Sequence, residues 1–156
     1  MSNAPRTSEH ARLTHEILHV EDRVLLEGAM AAGALTALAD QQQSLKESLM
    51  VQTVIQESEA LRFFDLDLAL SFYTGFIDRM RSDYEAGKEY ALDAVERCSE
   101  DIEAAALIVR VGIAIAKADE VLDEAEVAMI EEICARIGIQ GLDTLGLAGL
   151  PATRTN

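Results

Sequence analysis

Helix breakers and basic residues are both scarce in this sequence. Of 156 residues only 2 are Pro and 9 are Gly. Alternating β-branched stretches are scarce too, which leaves no strand signal. Ala, Leu, Ile and Glu are abundant, so the composition leans helical. Lys and Arg number 13 against 28 Asp and Glu, a formal net charge of -15. A surface of that sign repels phosphate backbones and anionic lipid. Nucleic acid is therefore not expected as a direct partner, and cations or a basic protein surface are favoured.

Cysteine is limited to Cys98 and Cys134, which form no CxxC pair. They read as two buried thiols in a reducing compartment. No run is long and apolar enough to span a bilayer. "GAMAAGALTALA" is too short, and Arg110 interrupts "AALIVRVGIAIA". The opening "MSNAPRTSEHARLTHEIL" lacks a basic region followed by an apolar one, so no signal peptide is expected. A soluble, cytoplasmic protein follows as the expectation.

What is present is helical periodicity in a chain whose hydrophobic content is 49%, enough for one core. The spacing predicts helices from about Leu13 and over 22–39, 44–58, 67–81, 83–98, 101–118 and 123–138, about seven in all. Leu45, Leu49, Val51, Val54 and Ile55 form an apolar stripe on the third. Leu68, Phe72, Phe76 and Met80 share helical spacing on the fourth. Gly87 is a weak point of the fifth, and Gly138 suits a C-terminal cap. The expected architecture is all-α, a single-domain helical bundle over 13–147. Residues 1–12 form a flexible arm, and 148–156 a flexible tail. Leu142, Leu145 and Leu147 dock one short turn before that tail.

Shifted by 79 residues, the chain falls on itself. "GALTALADQQQSLKESLM", from Gly33, aligns with "GIAIAKADEVLDEAEVAM", from Gly112. The matches include Gly33/Gly112, Asp40/Asp119, Glu47/Glu126 and Met50/Met129, and Ser44 falls on Asp123. Each half is an apolar helix, an Asp at its exit, and a polar cap with a Glu three residues later. One reading is a pair of capping boxes, at Ser44/Glu47 and Asp123/Glu126. That reading does not account for Asp40 and Asp119, which face the negative pole of a helix macrodipole.

Geometry adds a second difficulty. Glu47 lies four residues before Val51 and seven before Val54, and Glu126 stands likewise to Ile130 and Ile133. Both carboxylates therefore fall on an apolar face, where a charge needs a partner. Arg110 or Lys117 could serve the second half. Two such corners meeting across a pseudo-twofold axis would bring carboxylates together into an oxygen-only site. Such a site suits Ca²⁺, Mg²⁺ or Mn²⁺ rather than zinc or copper. It lacks the alternating ligands and central Gly of an EF-hand.

At these residues the sequence resembles a family. "ALIVRVGIAIAKADEVLDEAE", "SEALRFFDLDLALSFYTGFIDRM" and "YEAGKEYALDAV" are similar to the tellurite-resistance protein TerB and its relatives, over about residues 20–147. The resemblance implies an all-helical fold of pseudo-symmetric halves. It also implies a cytoplasmic stress protein linked with an integral membrane partner, TerC, and so peripheral at the inner membrane. An acidic cluster tied to divalent cations would map to Asp40, Glu47, Asp119, Asp123 and Glu126. The Gly that usually follows the family's Asp is Gln41 in the first half and Glu120 in the second.

"HEILH", His15 to His19, competes with this reading. Two His at i and i+4 could hold zinc, with Glu16 as general base. The alternative is an amphipathic leading helix whose apolar positions are Leu13, Ile17, Leu18 and Val20. Lys88, beside Gly87, reads as a solvated helix charge. No nucleophile with its base, phosphate-cradling Gly loop or cofactor box is found, so no catalytic residue is expected. Three functions remain: a cation-binding sensor or scaffold, a metal-free helical adaptor, and a zinc hydrolase.

Overall fold

The computed structural model describes residues 23–39, 45–57, 61, 64–116 and 123–138, with the backbone alone at 45–48. These residues form six helices and no strand. They are α1 (23–37), α2 (Leu45–Glu57), α3 (Leu66–Ser82), α4 (Tyr84–Glu96), α5 (Ile102–Ala116) and α6 (Glu124–Arg136). The predicted helix from Leu13, the arm, and the tail beyond residue 138 lie outside the described residues.

Aspartates start four of these helices, which accounts for part of the acidic excess. Asp65 accepts from the Asp67 N–H at 2.9 Å, and Asp101 from those of Glu103 and Ala104 at 3.0 and 3.3 Å. Asp123 opens α6. Asp83 serves two helices: its N–H donates to the Arg79 carbonyl at 3.0 Å, closing α3, and its carboxylate accepts from the Ala86 N–H, opening α4. Each of these bonds satisfies a helix-end group that has no partner inside its own helix. At the other end of α6, Gly138 takes a φ of 78°, the left-handed conformation expected of it.

α1 is the central helix. Every residue from 28 to 38 is buried, as its small, apolar sequence permits. α5 lies directly against it. A methyl placed on Gly28 would meet Ile108 Cδ1 at 2.9 Å, and one on Gly33 would meet Ile115 Cδ1 at 2.5 Å. One on Gly112 would meet Thr36 Cγ2 at 3.3 Å. The paired positions, 28 with 108, 33 with 115 and 36 with 112, keep offsets of 80, 82 and 76 residues, so α1 and α5 run in the same direction. Gly33 against Ile115 and Gly112 against Thr36 are also the same contact viewed from each helix, because the shift of 79 turns one pair into the other. That reciprocity matches the offset at which the sequence falls on itself.

The remaining elements follow the same relation. The shift carries 23–37 onto Ile102–Ala116 and Leu45–Glu57 onto Glu124–Arg136. Burial corresponds as well: Val51 and Ile55 on α2 are buried, as are Ile130 and Cys134 on α6. α2 packs against α5 and α3, and α6 against α5 and α4.

Three sequence expectations change. Leu49 is 58% exposed and does not belong to the buried stripe of α2. On α3 the buried face is Ala69, Tyr73, Phe76, Ile77 and Met80, and Leu68 and Phe72 sit only half-buried at its edge. A stripe chosen by spacing alone can be off by one position, because the neighbouring helices decide which side is covered. Gly87 is a close approach rather than a weak point. A methyl there would lie 2.5 Å from the Met80 nitrogen and 2.6 Å from the Arg79 carbonyl carbon. The one-residue connection through Asp83 presses α4 onto the end of α3.

Candidate functional site

Asp123 and Glu126 form the capping box that their spacing predicts. Asp123 holds extended backbone, φ −88° and ψ 172°, and its Oδ1 accepts from the Glu126 N–H at 2.7 Å. Glu126 Oε1 accepts from the Asp123 N–H at 3.0 Å. Reciprocal bonding satisfies two donors that the start of α6 would otherwise leave open. Glu126 is also only 7% exposed, on the face that carries Met129, Ile130 and Ile133. Its predicted position on the core side is therefore observed. Asp123, by contrast, is exposed.

The other candidate ligands divide differently. Asp40 and Asp119 lie outside the described residues, as do Gln41, Ser44, Lys117 and Glu120. Glu47 is placed by its backbone in the first turn of α2. His15, Glu16 and His19 fall outside as well. Among the described residues, no group of three or more His, Cys, Asp or Glu is arranged to hold a metal ion.

The parallel course of α1 and α5 bears directly on the two corners. α1 ends at 37, three residues before Asp40, and α5 runs to Ala116, three residues before Asp119. Both helices point their C-terminal ends the same way, so the chain leaves them at one end of the bundle. Two helix C-termini side by side present carbonyl groups and the negative ends of two macrodipoles. Such an end favours positive charge.

A second polar cluster joins α4 to α6. Arg136 reaches across to Glu89, bonding its Oε1 at 2.8 Å, and also to Glu96 at 3.3 Å and Asp93 at 3.5 Å. Lys88 pairs with Glu132 at 2.9 Å. The hydrogen bond to Glu132 raises the Lys88 pKa above its ordinary value, outweighing the opposing effect of burial. Lys88 is therefore an interhelical tie rather than a solvated charge. These side chains, with Glu85 and Leu92, line a cleft of about 290 Å³. Sequence reasoning did not find this cluster. Glu89, Asp93 and Glu96 do share one helix face, but their cation lies at least 40 residues away.

The two cysteines behave as their isolation suggests. Both are free and buried. Burial pushes the Cys98 thiol up to about 11, and its Sγ lies 3.5 Å from the Val24 carbonyl oxygen. Burial raises the Cys134 thiol too. Neither has the lowered pKa and exposure of a reactive thiol.

A family model described as "Tellurite resistance protein TerB" matches residues 26–145. A curated relative from Alcaligenes sp, "Tellurium resistance protein TerB", is 27% identical over 107 residues, covering 69% of this chain and 88% of that protein. No solved structure matches the chain.

Proposed function

The chain belongs to the TerB family, and from that membership we propose a role in tellurite resistance as a non-enzymatic, cation-binding sensor or scaffold. In this reading Asp40, Glu47, Asp119, Asp123 and Glu126 hold Ca²⁺, Mg²⁺ or Mn²⁺. The ion orders the two corners, and an exposed face then meets a protein partner at the membrane. Among the described residues no helix is long and apolar enough to cross a membrane, and this reading assigns the membrane link to the partner.

The observation that carries the proposal is the parallel packing of α1 on α5, shown by the Gly28, Gly33 and Gly112 approaches. It brings the C-terminal ends of α1 and α5, three residues before Asp40 and Asp119 in sequence, to the same end of the bundle, which supports this reading. Carboxylates gathered beside two helix C-termini repel one another and the carbonyl ends alike, and a hard divalent ion relieves both. A net charge of -15 adds a long-range attraction for cations.

A metal-free adaptor is the second reading, and the complete capping box favours it. Asp123 Oδ1 and Glu126 Oε1 each already accept a backbone N–H. Capping alone would then explain why these two residues are acidic.

Melting curves and calorimetric titrations of chelator-treated protein separate the readings. Under the cation proposal, millimolar Ca²⁺ or Mn²⁺ raises the melting temperature, because a ligand bound only to the native state stabilises it by mass action. Asp119→Asn abolishes that response and leaves the metal-free protein as stable as before, or more so. A wild-type melting temperature indifferent to millimolar divalent ions overturns the cation proposal and leaves the adaptor. Tight, stoichiometric zinc that is lost in His15→Ala/His19→Ala, together with hydrolysis, would instead restore the zinc reading.

A further inference from the structure

We draw no further inference here: the strongest candidate, the α4–α6 cleft lined by Glu85, Lys88, Glu89, Leu92, Glu132 and Arg136, is an acidic cluster whose two cations are already paired within it, and no second observation points to a ligand.

Discussion

Replacing Gly87 by Ala should destabilise this protein, although Ala is the better helix former. Gly87 lies inside α4, where Ala in place of Gly ordinarily gains about 1 kcal/mol. The new methyl, however, would sit 2.5 Å from the Met80 nitrogen, and 2.6 Å from Met80 Cα and the Arg79 carbonyl carbon. Ordinary carbon contacts lie near 3.5–4.0 Å, so the two helices must separate by roughly 1 Å. All three neighbours are backbone atoms of α3, and none can rotate aside. Asp83 caps both helices, so little slack exists at that end. Overpacking costs about 1–3 kcal/mol, and a rigid backbone contact belongs in the upper part of that range. Subtracting the propensity gain leaves a net loss of about 1–2 kcal/mol. For a domain of this size, that lowers the melting temperature by roughly 2–8 °C.

Gly75 supplies the internal control. It is an exposed position within α3, and a methyl there meets nothing within 4 Å. Gly75→Ala should therefore gain close to the full propensity difference of about 1 kcal/mol, a rise of roughly 2–4 °C. Both variants are read by thermal unfolding followed by circular dichroism, at matched concentration. A Gly87→Ala protein that melts at or above the wild type would refute the close approach of α3 and α4. The same holds if the two substitutions shift the curve alike.

Other substitutions probe the caps, the ion cluster and the thiols. Asp123→Ala should cost about 1 kcal/mol in denaturant unfolding, whereas Glu126→Gln keeps an acceptor for the Asp123 N–H and should cost clearly less; equal costs would deny the capping box. Arg136→Ala should lose under about 1 kcal/mol, less still at high salt, because the carboxylates it meets are more than half exposed. A larger, salt-independent loss would mean that the cluster is more deeply desolvated than the structure shows. Cys98 and Cys134 should resist a thiol reagent in native buffer and react fully once unfolded. The Cys98 thiol titrates at about 11 in the folded chain against 9.0 ordinarily. The unfolded chain therefore releases its proton first, and stability should fall as pH rises through that window. Cys98→Ala should flatten the alkaline slope, and an unchanged slope would assign it to other groups.

Much of this architecture was legible in the residues themselves. Apolar spacing placed all six described helices, with ends that differ from the observed ones by only a few residues. A helix end is a local problem: the first N–H groups need acceptors, and Asp123 with Glu126 supplies them within three residues. The core-side position of Glu126 was equally readable, since Ile130 and Ile133 follow it at four and seven. The matching halves were visible because the shift of 79 preserves identities such as Gly33/Gly112.

Other features depend on residues that are distant in sequence. Whether Leu49 or Val51 faces inward depends on where α3 and α5 stand, and periodicity along α2 does not contain that. Gly87 looks like a flaw until α3 is laid against it; its meaning is the separation of two backbones. The Arg136 cluster unites α6 with α4 through charges whose partners no local pattern pairs. Most consequentially for function, the sequence alone could pair the two acidic corners by their repeat but could not say how the helices leading to them lie. The contact of α1 with α5 brings their C-terminal ends to one end of the bundle, because Gly28 with Ile108, Gly33 with Ile115 and Thr36 with Gly112 keep a near-constant offset that only helices sharing a direction can hold.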